Sequence, residues 1–423
     1  MMPSPYSEEA LKQLFRVGDS GKWQVDVEQD VDSIVASASS RAVSAEPVLL
    51  IKSKLDKSGK TIYFSGDIET DLILRATYKR LVRQRSIVLP NRESIVNGII
   101  EATSEASPYL VTKCDIRAFY ESLDAEPIVR GILVDTRISP DLKSVLREIY
   151  NAAGISKSVT PRGLAISAVF AEIALKDFDS RIRKVPGVHR YFRYADDIIV
   201  FSLPNTPLIS VIQKELNLLG LELNEKTEDQ EVRVNPQPLS ENDPLIAAYS
   251  YLGYEFSAVE KVDYHKTREF SVSIASNKIK KRMTRMFLAL YAFRKDGNAD
   301  LLIDRLAYLS TNRSVYKTKH TRGSKKQKIR TGIYYNYSRC GHYPASKKGR
   351  VSTEHSASEL VRIDAVLKTA LASEIFASLV ATLPLALQTR IHNISFAQGY
   401  KKRLMKRFTR KRVNQICKVW GHE

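Results

Sequence analysis

Cysteine is scarce in this 423-residue chain: Cys114, Cys340 and Cys417 are the only three, scattered and odd in number. That excludes a disulfide framework and suits a reducing compartment. Cys340-Gly341-His342 has no second ligand pair at metal-binding spacing, which excludes a structural zinc site of the usual kind. No run of about eighteen uncharged apolar residues occurs, so no membrane span is expected. Met1–Ala10 carries Pro, Ser and two Glu where a secretory leader would have a basic start and an apolar stretch, so no leader is expected. Nothing matches a His-Asn-His pattern. Acidic residues are scarce in one part only. Residues 1–275 hold 34 Lys/Arg against 39 Asp/Glu, a net of −5, whereas the remainder holds 32 against 8, a net of +24. Cations concentrated on that scale point to a polyphosphate partner. The length calls for two or three domains.

What is present centres on Val188–Pro204, V-H-R-Y-F-R-Y-A-D-D-I-I-V-F-S-L-P. Aromatic and β-branched runs flank Tyr194-Ala195-Asp196-Asp197, which predicts two short strands with adjacent carboxylates at a tight turn. Adjacent acids beside a buried sheet are costly unless neutralised, and a hard divalent cation such as Mg²⁺ would do so. Upstream, Tyr109–Asp115 reads as a strand ending in an acid and followed by Ile116-Arg117-Ala118-Phe119-Tyr120. Only a fold could join Asp115 to Asp196.

Together these stretches resemble the palm of reverse transcriptases. Three more segments follow the order of that family: Thr160-Pro161-Arg162-Gly163-Leu164-Ala165-Ile166-Ser167, Leu219–Thr227 with its N-E-K-T, and Tyr251-Leu252-Gly253-Tyr254-Glu255-Phe256. The five motifs span roughly residues 50–260. Arg162 stands where many members carry Gln. The resemblance implies an α+β right-hand polymerase. Its fingers and palm would be an antiparallel sheet plus helices, followed by a helical thumb and an all-helical basic C-terminal extension. The expected divisions are a lead-in over 1–46, helical or loosely ordered; fingers and palm over 47–260; a thumb with a basic Tyr-rich loop over 261–350; and the extension over 351–423.

The resemblance also implies roles. Asp115, Asp196 and Asp197, with the Ile116 carbonyl, would hold two Mg²⁺ ions, for which Mn²⁺ is a possible substitute. Lys226 would act as a general acid toward pyrophosphate. Lys60 and Arg75 would hold the triphosphate. Tyr120, five residues after Asp115, would be a steric gate under the sugar, with Phe119 in the core. Arg162 and Gly163 would approach the nascent base pair or a template phosphate. Glycine lets a backbone come close to a ligand.

Past residue 275, Ile279, Met283, Met286, Phe287, Leu290 and Phe293 fall on one helical face, with Lys278, Lys281, Arg282 and Arg285 mostly on the others. This predicts a thumb with a basic track along a duplex. Lys325 and Lys326 precede Tyr334, Tyr335, Tyr337 and Tyr343, so cations and rings alternate as RNA binding needs. Arg407 and Arg410 lie in a last basic stretch. A compact polymerase with a short helical tail resembles retron and defence-associated bacterial reverse transcriptases. That implies a bacterial cytoplasmic enzyme with dNTPs, a DNA product and a dedicated structured noncoding RNA, in antiphage defence. Whether the chain self-associates stays open. So do two alternatives: an RNA-synthesising or template-independent polymerase, and an RNA-binding protein on a catalytically weak palm. Tyr120 and Y-A-D-D stand against the first; Asp115 together with Asp196-Asp197 stands against the second.

Overall fold

The computed structural model describes residues 4–16, 19–25, 27–56, 59–105, 107–225, 227–232, 246–259, 267–317, 327–344 and 357–421. The chain divides into two compact units. The first is Met1–Ile95, Tyr109–Glu231 and Lys317–Gln327; the second is Val96–Pro108, Val232–Tyr316 and Lys328–Glu423. Helices and antiparallel strand pairs make it α+β, as expected. No helix among the described residues is long and apolar enough to cross a membrane.

The first unit starts with α1 (Glu8–Lys12), α2 (Asp19–Trp23) and α3 (Val27–Val43). They are not a loose lead-in. Tyr6, Leu11, Phe15, Ile34 and Val35 share one core with Leu72 and Ile73 of α4 (Ile68–Gln84). Between α3 and α4, β1 (Ile51–Leu55) and β2 (Thr61–Ser65) form an antiparallel hairpin. Asp67 caps α4 by accepting from the Thr70 N–H at 2.8 Å. α5 (Arg92–Thr103) is capped by Asn91, which accepts from the Glu93 N–H at 2.9 Å.

Arg75 corrects one expectation. It is 8% exposed. Its Nη1 and Nη2 reach the Asp19 carboxylate at 2.7 and 2.9 Å, Nη2 reaches Asp71 at 2.6 Å, and Nη1 reaches the Leu14 carbonyl at 3.0 Å. The residue fastens α4 to α2 and has left no accessible face for a triphosphate.

The sheet that follows has strand order β4-β5-β3-β6. Its strands are β3 (Tyr109–Asp115), β4 (Val188–Tyr194), β5 (Asp197–Ser202) and β6 (Glu228–Val232). The intervening helices are α6 (Phe119–Ser122), α7 (Glu126–Val134), α8 (Pro140–Ala153), α9 (Ile166–Ala174), α10 (Lys176–Arg183) and α11 (Leu208–Asn217). β5 is apolar without alternation because Ile198, Ile199, Val200 and Phe201 are all fully buried, as in a strand covered on both faces. Phe178 and Ile182 of α10 and Leu208, Ile212 and Leu216 of α11 pack in the core with Ile198 and Val200.

Behind the β4–β5 turn lies a buried polar cluster. The Arg193 side chain is 4% exposed. Its Nε and Nη2 donate to Asp179 at 2.8 Å each, and its Nη1 and Nη2 to Glu172 at 3.0 and 2.8 Å. The Tyr191 hydroxyl also donates to Asp179, at 2.6 Å. Burial alone would lower the Arg193 pKa, but Asp179 and Glu172 outweigh it and hold the guanidinium charged.

In the second unit, β7 (Ile246–Tyr251), β8 (Tyr254–Val259), β9 (Phe270–Ile274) and β12 (Gly341–Tyr343) form a sheet ordered β12-β9-β8-β7. Leu252 and Gly253, at φ +47° and +84°, make the two-residue β7–β8 turn, a primed turn that matches strand twist. Around it stand α12 (Ser276–Asp296), α13 (Ala299–Ser310), the hairpin of β10 (Asn312–Lys317) and β11 (Gln327–Gly332), then α14 (Ser358–Ala372), α15 (Glu374–Ala381), α16 (Leu385–His392), α17 (Phe396–Lys401) and α18 (Arg410–Lys418). Ile279, Met286, Leu290 and Phe293 of α12 are buried as expected, but Phe287 is 45% exposed.

Removing one member of a buried charge cluster strands the others, at about 3–5 kcal/mol. Arg193→Met is therefore expected to destabilise the protein by that amount in urea melts. Arg75→Met should cost a comparable amount by stranding Asp19. Unchanged midpoints would show that these clusters carry no stability.

Candidate active site

Asp115 ends β3 directly opposite Asp197, the first residue of β5. Tyr194 pairs with Asp197 across the hairpin, leaving Ala195 and Asp196 as the turn. Ala195 sits at φ +56°, a left-handed conformation that strains any residue with a Cβ. Two hydrogen bonds hold the turn there. Arg193 Nη1 donates to the Ala195 carbonyl at 3.2 Å, and the Ile116 N–H donates to the Asp196 carbonyl at 3.3 Å. The motif Leu219–Thr227 closes the far side of Asp115. Asn224 donates to the Asp115 carboxylate from Nδ2 at 2.8 Å and to its carbonyl from the backbone N–H at 2.7 Å.

The two acids feel one another. Burial, and then the charge of Asp115, push the Asp196 carboxyl above its ordinary range, while Arg162 opposes the rise. The Tyr120 hydroxyl is raised first by burial and next by Asp196. Tyr120 is half-buried, its ring 5.0 Å from that of Phe119, which is 3% exposed in the core. Phe119 thus packs and Tyr120 borders the acids.

Glu121, which the sequence reading missed, gathers the nearby cations. It accepts from Arg162 Nη1 at 2.8 Å and from Lys60 Nζ at 3.4 Å. Burial would raise its carboxyl, but its own backbone N–H, Arg162 and Lys60 together hold it low. Its only signal in sequence is its place directly after Tyr120. Arg162 also lies 3.5 Å from Asp56. Asp115, Ile116, Asp196, Asp197, Tyr120, Lys60 and Arg162 thus come together, with Glu121 and Asn224 added.

Gly163 is glycine for a reason within the fold. At φ +99°, a Cβ there would meet the Tyr63 carbonyl oxygen at 2.5 Å and Ile62 Cγ2 at 2.6 Å. The close approach that demands glycine is to β2, whose Tyr63 N–H donates to the Arg162 carbonyl at 2.7 Å. Lys226, Lys325 and Lys326 lie outside the described residues.

Hard carboxylate and carbonyl oxygens suit Mg²⁺ or Mn²⁺, and two coupled acids at a strained turn fit a cation that would relieve their repulsion. Among the described residues, no group of three or more His, Cys, Asp or Glu is arranged as a metal centre. The donor set is Asp115 with Asp196, and Asp197 and the Ile116 carbonyl beside them.

The expected nucleic-acid residues of the second unit divide. Lys278, Lys281 and Arg407 are exposed, and Arg282 and Arg285 are half-buried. Arg410 opens α18. The tyrosines are a second correction. Tyr334 is 8% exposed, packed against Tyr335 and Tyr400 with the Arg403 guanidinium 4.3 Å above its ring. Tyr337 and Tyr343 are also buried, the latter stacked on Phe270 at 4.6 Å. Of the four rings expected to serve RNA binding, Tyr335 alone keeps partial exposure, and it takes a hydrogen bond from Arg330 at 3.1 Å.

The sequence of residues 70–237 matches the family model described as reverse transcriptase (RNA-dependent DNA polymerase). No curated protein sequence matches the chain. Solved structures do, among them an apo telomerase from Candida Tropicalis truncated from its C-terminal domain, with 14% identity and a TM-score of 0.34 over 54% of this chain. The chain spans about half the length of that telomerase, 55%. The palm-like acids and the turn that carries them lie inside the matched segment, so this chain carries a reverse transcriptase domain.

Proposed function

We propose that the chain copies RNA into DNA, transferring nucleotides from dNTPs to a primer 3′-hydroxyl. Substrate and product would be held at Asp115 and Asp196. The observation that carries this reading is the electrostatic coupling of Asp115, Asp196 and Tyr120 at one strand end, inside the segment that matches reverse transcriptases. Asp115 and Asp196, with Asp197 and the Ile116 carbonyl, would hold two Mg²⁺ ions. Bound there, divalent ions supply a lowered pKa at the attacking hydroxyl and neutralise charge on the leaving pyrophosphate. The chain's own residues orient. Asn224 fixes the Asp115 carboxylate, and Arg193 fixes the turn that carries Asp196. Tyr120 sets rigid bulk beside the acids, where a 2′-hydroxyl would clash. Lys60 and Arg162, gathered by Glu121, offer cations to phosphate oxygens. No side-chain nucleophile is needed, since positioning and electrostatics carry phosphoryl transfer.

The finer reading is a bacterial enzyme working on a dedicated noncoding RNA in antiphage defence. It is supported by the basic second part of the chain and by the compact helical tail that resembles retron-type enzymes. A second reading, an RNA-binding protein on a catalytically weak palm, draws on the lack of a three-residue metal cluster among the described residues. Primer extension on an RNA template with dNTPs and Mg²⁺ separates the two; an inactive wild-type protein would sink the first.

Two outcomes are expected from variants. Asp115→Asn or Asp196→Asn should lower incorporation by about 10³-fold, because several kcal/mol of charge stabilisation are lost. Without Mg²⁺ the variants should melt no earlier than wild type, and Mg²⁺ should raise the wild-type Tm more than theirs. A wild-type Tm indifferent to Mg²⁺ argues against the metal assignment. In Tyr120→Ala, the ratio of kcat/KM for ribonucleotides to that for deoxynucleotides should rise. An unchanged ratio would remove Tyr120 as the gate.

A further inference from the structure

One cavity in the second unit gathers five cations. It measures about 230 Å³, and its lining includes Lys278, Lys281, Arg282 and Arg285 of α12, Arg313 of β10, and the uncharged Tyr308, Leu309, Asn336 and Tyr337. Among the described residues, no Asp or Glu lines it. The four α12 residues stand at i, i+3, i+4 and i+7, so like charges share one helix face, a spacing that is repulsive. Lys278 also lies in the first turn of α12, which contains no acidic residue. A helix N-terminus is already electropositive, and a cation there adds to the repulsion. Lys278, Lys281, Arg282 and Arg313 form no ion pair with a carboxylate among the described residues.

Two of these groups are held in advance. Arg282 Nη1 donates to the Leu309 carbonyl near the end of α13. The Arg313 guanidinium lies over the Tyr308 ring, 3.8 Å from its centroid. Burial, with Arg285 and Arg313 adding repulsion, pushes the Arg282 pKa down to about 10. Side chains fixed beside one another against their own repulsion are pre-organised for an anion.

We propose that this cavity binds a phosphate bearing more than one negative charge, the 5′-terminal phosphate of a nucleic acid or a free polyphosphate. The ligand class follows from size and charge. The volume falls below the roughly 300–1,000 Å³ of pockets that take drug-sized ligands, so a phosphate group fits and a whole nucleotide does not. A backbone phosphodiester brings one charge, whereas a phosphate monoester brings about 1.5–2 at neutral pH. Lys278, Lys281, Arg282 and Arg313, which have no carboxylate partner among the described residues, suit the second. The nucleic-acid source rests on the RNA-binding part of the proposed function.

The test is fluorescence anisotropy of the full chain with one RNA oligonucleotide carrying either a 5′-phosphate or a 5′-hydroxyl, without dNTPs. A parallel arm follows the Tm during titration with inorganic pyrophosphate. The 5′-phosphate is expected to tighten binding about 10-fold, a gain typical of one added charge-assisted contact. The gain should vanish in Arg313→Gln and in the exposed-site variant Lys281→Gln, each checked for an unchanged fold by circular dichroism. Equal binding of the two RNAs, with a pyrophosphate Tm shift that is lost in the variants, assigns the site to a free polyphosphate. Equal binding without that shift overturns the proposal while leaving RNA binding intact. If neither RNA binds, the RNA reading falls, and the pyrophosphate arm decides the pocket alone.

Discussion

The position of the acidic turn depends on the Arg193 guanidinium. It draws on Glu172 of α9 and Asp179 of α10, and it holds the Ala195 carbonyl of the turn. Two successive helices are thereby tied to the segment that carries Asp196. Buried ion clusters are poor sources of net stability, because desolvation offsets their attraction. They are better at specifying one arrangement, since every alternative leaves a charge unpaired. That is the service this turn requires. An Ala at φ +56° is not held by its own preference, and relaxation by a few tens of degrees would re-aim the neighbouring carboxylate.

The same turn shows how strain and repulsion are accommodated. Asp196 is disfavoured as an anion by burial and by Asp115. Among the described residues, Arg162 contributes opposing charge to Asp196, but its own hydrogen bond goes to Glu121. Lys60 goes to the same acid. In the proposed function these cations would pass from Glu121 to phosphate oxygens, while Asp115 and Asp196 would keep their charge for a divalent ion.

Much of this was legible in the sequence. Period-2 and continuous apolar runs located β3, β4 and β5, and the acids at their ends met as the motif order implied. The errors share one physical cause: residue type does not tell which partner a polar or aromatic group will find. Arg75 looked like a triphosphate contact because Asp19, its bidentate partner, lies 56 positions away. The tyrosines after residue 330 sat in a basic, polar stretch, yet Tyr334, Tyr337 and Tyr343 each found a ring or helix to pack against. The first helices were within the expected range, but their place in the core was not legible, because their buried residues are few and make a core with α4.

The same lesson bears on the excess charge of the second part. Not every cation there faces a phosphate. Lys406 and Arg412 both bind Asp304, at 2.7 Å each. Arg403 covers Tyr334. Lys406, Arg412 and Arg403 hold α13, α18 and a tyrosine in place, so they add to the charge of residues 276–423 without each adding a released counterion. The number of phosphates neutralised, which sets the salt slope of RNA binding, must therefore be well below the net +24 of residues 276–423. Exposed cations such as Lys278, Lys281 and Arg407 remain to contribute to it. A slope near the full charge would mean that the structural cations give up their carboxylate and carbonyl partners on binding, which would be a refolding of the second unit and no simple docking.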